Sequence, residues 1–253
     1  METLQRLQTE QAFHDRQAGE REAFFRAHPE RLFVSEDDYL DHESWIRHAL
    51  AALGNVAGMR VLDFGCGHGM AAVVLAKRGA CVTAFDLSGG YLAEARRRAT
   101  ANRVTIDFVQ ANGESLPFAD ATFDCIWGNA ILHHLDLQRT GRELRRVLKL
   151  GGHAVFCEPW GGNPLLNWAR KHVAYSSKER TPTETPWTVR ELAVLRSIFP
   201  RLEVTGQQLF SMVGRIVSRT RPLRLFDRLD DRLLSRFPTW QRWCRYVVVR
   251  MRK

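Results

Sequence analysis

Val61-Leu-Asp-Phe-Gly-Cys-Gly-His-Gly69, followed by Met70-Ala-Ala-Val-Val74, is the stretch on which the fold turns. An apolar run leads straight into Gly65-x-Gly67-x-Gly69 and then into a helix-forming segment. Glycines allow a sharp turn and let the backbone approach a ligand more closely than any side chain permits. The helix that follows presents the positive end of its dipole, suited to a carboxylate or phosphate. Such a turn could serve packing alone, but Asp86 ends the next apolar run, Cys81-Val-Thr-Ala-Phe-Asp86, 21 residues after Gly65. An acid at that place reaches the two hydroxyls of a bound ribose. Together the two signals point to a nucleoside-containing cofactor. Because Met70 and Ala71 follow Gly69, the spacing departs from the G-x-G-x-x-G of dinucleotide sites. That weakens an NAD(P)-dependent oxidoreductase as the alternative.

Outward from this loop, residues 59–158 alternate short apolar runs with helical patterns, as a parallel α/β sheet requires. Strands are expected over 60–64, 80–85, 105–109, 123–127 and 153–157, and helices over 70–78, 88–101 and 136–148. Ser88 reads as the N-cap of the second helix, and Gly151-Gly152 as the close of the third. The expected fold is a Rossmann-like, doubly wound α/β sheet with helices on both faces. Residues 1–58 read as an N-terminal helical cap whose last helix stops at Gly54. Residues 59–253 form the main domain. Its C-terminal part holds helices near 165–172 and 188–198, a polar linker over Ser176–Pro186, and strands over 202–209 and 246–251. A helical insertion lies at about 211–243, where Leu223, Phe226, Leu229, Leu233 and Phe237 stand at helical spacing.

The net charge of +9 over 253 residues is unevenly placed. Residues 1–58 carry 6 basic and 11 acidic groups, and residues 59–158 carry 12 and 10. Residues 209–253 hold 12 basic groups against 3 acidic. The basic character therefore belongs to the tail. Five scattered cysteines without a CxxC or Cys/His cluster argue against a metal site and for reduced thiols in a cytoplasmic protein. There is no apolar run long enough to span a bilayer, and the first residues do not read as a secretory signal.

The ordered set VLDFGCGHG, Asp86, Asn112-Gly-Glu-Ser-Leu-Pro-Phe118, Phe123-Asp-Cys-Ile-Trp127, Ile131-Leu-His-His-Leu135 and Leu148-Lys-Leu-Gly-Gly152 resembles the class I S-adenosylmethionine-dependent methyltransferases, in their small-molecule branch. That resemblance covers residues 59–158. It implies a seven-stranded sheet ending in an antiparallel hairpin, and S-adenosylmethionine as cofactor. It further implies that Gly65, Cys66, Gly67 and Gly69 wrap the methionine and ribose, with Asp63 either fixing the loop or meeting the amino group. Asp86 would bind the ribose hydroxyls and Leu87 would flank the adenine. Asn112, where the family usually has Asp, would accept from the adenine amine, with Gly113 and Glu114 beside it. Asn129 would line the methionine side.

Methyl transfer chiefly requires alignment of nucleophile and methyl, so a base is needed only for a protonated acceptor. His133, His134 and Glu158 are the catalytic candidates, set against a purely structural role. His14, Tyr39 and Trp160 are candidates for the acceptor site. The expected activity is methylation of a small-molecule acceptor, a natural-product, glycan or lipid precursor. An enzyme of the same fold that uses the cofactor for intramolecular alkylation is the other alternative, and a non-catalytic binding module a third. Nucleic acid is disfavoured as a partner, because Asn129-Ala-Ile-Leu replaces the tetrad of amino-directed nucleic-acid enzymes. The basic tail reads as a substrate lid, a peripheral membrane contact or an ordinary packed helix.

Overall fold

In the central strand β1 (Arg60–Phe64) successive side chains enter opposite cores: Val61 on one face, Leu62 and Phe64 on the other. The structure, a computed structural model, describes residues 2–172, 185–212 and 224–253. Strands β2 (Cys81–Asp86), β3 (Asp107–Gln110), β4 (Phe123–Asn129), β5 (Leu148–Pro159), β6 (Arg201–Gln207) and β7 (Tyr246–Arg252) complete a seven-stranded sheet in the order β3-β2-β1-β4-β5-β7-β6. The first five strands are parallel, and β7 runs antiparallel to both β5 and β6. Both faces are apolar, which is why these strands read as nearly continuous hydrophobic runs.

Nine helices are described: α1 (Glu2–Ala27), α2 (Glu36–His42), α3 (Ser44–Leu53), α4 (Met70–Lys77), α5 (Gly89–Ala101), α6 (Leu137–Val147), α7 (Pro164–His172), α8 (Val189–Ile198) and α9 (Arg224–Arg236). Trp45, Ile46, Leu50 and Leu53 of α3 share a core with Val61, Val74 and Val155, so the chain on both sides of residue 58 contributes to it. On the opposite face Leu144, Leu192, Leu195 and Phe199 pack against Leu62, Phe64 and Phe156. None of the described helices is long and apolar enough to cross a membrane. All five cysteines are free, and four of them are buried.

Local chemistry sets the boundaries. The Ser88 hydroxyl accepts from the Tyr91 N–H, as its N-cap reading requires, and Gly54 ends α3 with φ +83°. Two expectations are corrected. Gly151-Gly152 does not close α6, which stops at Val147; both glycines lie inside β5. Gly151 has φ +79°, and a Cβ on Gly152 would stand 2.8 Å from the Asp124 carbonyl oxygen. The strand expected over 202–209 ends at Gln207, because Gln208 turns into the left-handed region at φ +61°. Of the other readings, residues 176–184 of the polar linker and 213–223 of the insertion, Leu223 included, lie outside the described residues.

Candidate active site

The three loop glycines all have positive φ (+67°, +50° and +80° for Gly65, Gly67 and Gly69), yet they serve different ends. A Cβ on Gly65 would meet Ile131 Cγ1 at 2.5 Å, whereas one on Gly67 would meet nothing within 4 Å. Gly69 caps α4, and its Cβ would fall 2.7 Å from the Ala95 Cβ of α5. Gly69 thus packs α4 against α5 and is not among the residues that line the cavity beside Asp86. Gly69→Ala is expected to cost about 1–3 kcal/mol through overpacking and a strained φ, read as a lower midpoint in urea unfolding of the ligand-free protein.

Asp86 closes β2 at the rim of a cavity of about 220 Å³. Its Oδ2 accepts from the Gly67 N–H at 2.8 Å and its Oδ1 from the Ser88 N–H at 2.9 Å. Burial pushes its pKa up, while those backbone donors and His14 oppose the rise. The carboxylate is thereby fixed by the loop it faces, and further lone pairs remain for a ligand.

Around Asp86 the cavity is lined by Gly65, Gly67, Leu87, Asn112, Gly113, Asn129, His134 and His14, all expected there. Phe64, Phe85, Ala111, Ile131 and Leu135 make apolar walls, and Arg6, Leu7 and Glu10 of α1 form a roof. A Cβ on Gly113 would stand 2.6 Å from Phe64 Cζ, so this end is kept as a slot without a projecting side chain. Asn112 Oδ1, the atom expected to accept from an adenine amine, instead accepts from the Glu114 N–H at 2.9 Å in a local turn. Asn129 Oδ1 accepts from Trp45 Nε1 at 3.2 Å, which orients the Asn129 amide at the mouth of β4. Trp45 is itself stacked on Tyr246, with ring centroids 3.8 Å apart.

The remaining expected site residues do not line this cavity. Asp63 is buried beneath the loop; burial first and the nearby Asp86 second raise its pKa to about 7, and its Oδ2 has no hydrogen-bond partner among the described residues. Cys66 is buried, its thiol pushed well above the usual range by burial. Glu114 bonds Arg6 and accepts from the Asp136 N–H at 2.9 Å, so it anchors α1 and the approach to α6. Glu158 is fully buried: Oε1 accepts from the N–H groups of Ile131 and Leu132, and Oε2 lies 2.7 Å from His133 Nδ1. His133 and Glu158 therefore hold the turn (Leu132–His134) that presents His134.

Tyr39 and Trp160 are corrected as acceptor-site residues, because both are core side chains. Tyr39 packs in the same core as Val61 and Cys66, where burial drives its hydroxyl pKa well upward. Trp160 lies in the opposite core, and its indole donates to the Arg242 carbonyl at 3.2 Å.

Arg6 and Glu10 escaped the sequence reading. With His14 they stand four apart on one stripe of α1, and that spacing was the available signal. Arg6 also donates to the His134 carbonyl. Glu10 Oε2 lies 3.4 Å from His134 Nδ1 and 3.6 Å from His14 Nε2. The Glu10 contact and the Asp86 charge help raise the His14 pKa against the lowering effect of burial, the largest of these influences. Farther along α1, Asp15 accepts from the Ser88 hydroxyl at 2.5 Å and the Gly90 N–H at 3.0 Å, fixing the helix to the start of α5.

Residues 62–156 match the methyltransferase domain family. A demethylmenaquinone methyltransferase of Clavibacter sepedonicus is 41% identical over 115 residues, 45% of this chain and 46% of the relative. A fatty-acid O-methyltransferase of Mycolicibacterium smegmatis is 34% identical over 148 residues, 56% of this chain and 53% of the relative. The chain spans about half the length of these curated relatives. Among solved structures, geranyl diphosphate C-methyltransferase from Streptomyces coelicolor A3(2), in complex with Mg2+, geranyl diphosphate and S-adenosyl-L-homocysteine, superposes with a TM-score of 0.60 at 21% identity. That match covers 81% of this chain and 76% of the other.

Proposed function

We propose that this chain, whose residues 62–156 match the methyltransferase domain family, is a class I, S-adenosylmethionine-dependent enzyme that methylates a small-molecule acceptor, a natural-product, glycan or lipid precursor. The names of the relatives, which act on demethylmenaquinone, a fatty acid and geranyl diphosphate, favour the lipid-like end of that range. The observation that carries the proposal is Asp86, held by the Gly67 and Ser88 amides at the rim of a cavity with one apolar slot. The compartment we propose for the reaction is the cytoplasm, a reading that the five free thiols support.

The cofactor, when bound, supplies a methyl group already activated on a sulfonium. Asp86 would accept from the ribose hydroxyls, with Gly65 and Gly67 against the methionine and ribose. Leu87, Gly113 and the Phe64–Leu135 walls would enclose the adenine, with Asn112 shaping the turn there. Asn129, oriented by Trp45, would face the methionine end. The residues present fit this group: a cationic amino acid moiety near Asp63 and Asp86 would relieve the electrostatic cost of two buried neighbouring carboxyls. Alignment of acceptor and methyl can account for ~7–11 kcal/mol of the barrier. For an acceptor that must lose a proton, His134 with Glu10 behind it is the pair facing the cavity.

Asp63 makes the binding pH-dependent. Its raised pKa means that the ligand-free native state holds a proton which the unfolded chain has already released between the usual carboxylate range and about 7. Stability of the ligand-free protein from this group therefore falls as pH rises through that window and is level above it. A cationic ligand favours the ionised form, so affinity for S-adenosylhomocysteine is expected to rise with pH up to about 7 and then flatten. The limiting slope is about tenfold per pH unit. Calorimetry across this range checks it, and Asp63→Asn should remove most of the slope.

Activity is tested by incubating the protein with methyl-labelled S-adenosylmethionine and a lipid-precursor panel. Label in the acceptor with an equal yield of S-adenosylhomocysteine is the expected result. Release of methylthioadenosine would overturn methyl transfer in favour of alkylation by the cofactor's amino-acid chain.

A further inference from the structure

The segment between β6 and β7 presents a surface for which the proposed reaction has no use. Because β5 and β6 both pair antiparallel with β7, they run the same way, and the insertion leaves the sheet at the carboxyl edge that also bears the cavity. Each of its three acids has a partner close by. Asp230 is buried and accepts from the N–H groups of Leu209, Phe210 and Ser211. Asp231 stands 3.5 Å from His48 Nε2 of α3, and Asp227 is half-buried beside Ser211.

The arginines are disposed differently. Arg228, Arg232 and Arg236, four apart, make an exposed stripe along α9, and Arg242 is exposed beyond it. None of these four forms an ion pair among the described residues. The adjoining stripe is apolar: Leu229, Leu233 and Phe237, with Trp240 stacked on Phe237 at 5.1 Å between centroids. Leu229, Phe237 and Trp240 are 42%, 41% and 37% exposed, so the stripe faces water. The start of α7 is tied to the same turn, Asn163 Nδ2 donating to the Trp243 carbonyl at 2.8 Å, and α7 exposes Leu165 and Trp168.

We propose that this face docks on an anionic lipid surface. An apolar stripe bordered by guanidinium groups suits a layer that is hydrocarbon within and phosphate-bearing at its rim. The exposed leucines separate this from a polyanion groove, where aromatic platforms rather than aliphatic side chains bind the bases. Docking would set the carboxyl edge of the sheet toward the layer that holds a lipid-like acceptor. That last consequence rests on the function proposed above; the docking itself does not.

Cosedimentation of the full chain tests it, with vesicles of phosphatidylcholine alone and of phosphatidylcholine with phosphatidylglycerol. The chain should pellet only with the second kind at low salt, and be released near ~1 M salt, where the screening length is about 3 Å. The double substitutions Arg232→Glu/Arg236→Glu and Phe237→Ser/Trp240→Ser should each lower the partition coefficient by about tenfold or more. Both variants should keep their melting temperature and their affinity for S-adenosylhomocysteine. Equal sedimentation of wild type and both variants overturns the proposal, as does wild-type binding to duplex nucleic acid or self-association through this face without vesicle binding. Wild-type protein that binds S-adenosylhomocysteine but neither kind of vesicle defeats the docking alone, and wild-type protein that binds anionic vesicles but not S-adenosylhomocysteine defeats the enzymatic reading alone.

Discussion

Replacing Asp86 by alanine is expected to weaken binding of S-adenosylhomocysteine by ~1.5–3 kcal/mol, about 10- to 150-fold, the range for hydrogen bonds to a charged group. The side chain does two things at once. It receives the Gly67 and Ser88 amides, and it faces the cavity. Alanine therefore also leaves two N–H groups without their acceptor, which lowers stability independently of any ligand. Calorimetry on the folded fraction, with urea unfolding in parallel, separates the two effects. Asp86→Asn keeps an acceptor for one amide and should fall between wild type and alanine. Wild-type affinity in a folded Asp86→Ala protein would place the ribose elsewhere.

Glu158→Ala is expected to have the largest effect on stability, ~3–5 kcal/mol, because it removes a fully buried carboxylate on which the Ile131 and Leu132 amides and the His133 ring converge. The turn from Leu132 to His134 depends on those contacts, so turnover should fall with it. Glu158→Gln retains a carbonyl oxygen for the Ile131 and Leu132 amides, and the neutral His133 ring can accept from the new amide through Nδ1. It should cost markedly less. His133→Ala leaves Glu158 its two backbone donors and should lower stability only modestly, with cofactor affinity largely intact. Should His133→Ala abolish turnover without loss of fold or of cofactor binding, His133 is catalytic and not the support described above.

These two residues also mark what could be read in advance. The strands were legible because a sheet buried on both faces writes itself as apolar runs, and Asp86 because an acid at the end of such a run has few structural excuses. Glu158 was singled out as a catalytic candidate, whereas its hold on the turn before α6 was not foreseen. Only the fold brings it under the Ile131 and Leu132 amides. The glycine loop was read as one unit, although Gly69 packs against Ala95 of α5 and Gly65 against Ile131. Tyr39 and Trp160 looked like aromatic site residues, and nothing local shows that each is enclosed in a core.

The roof was the hardest part to foresee. α1 is polar almost all round, so no apolar stripe marks which side is covered. Arg6 meets Glu114 across 108 residues, and Glu10 meets His134 only once β4 and its following turn are in place. The insertion shows the converse: the charge of the tail was plain, whereas the partners that its acids find, the Leu209 amide for Asp230 and His48 for Asp231, required the structure.

Titration calorimetry of the purified chain with S-adenosylhomocysteine and, separately, with NADH tests the central claim most directly. Saturable binding of S-adenosylhomocysteine, weakened in Asp86→Ala, with no binding of NADH, is the predicted result. Binding of NADH alone would contradict it.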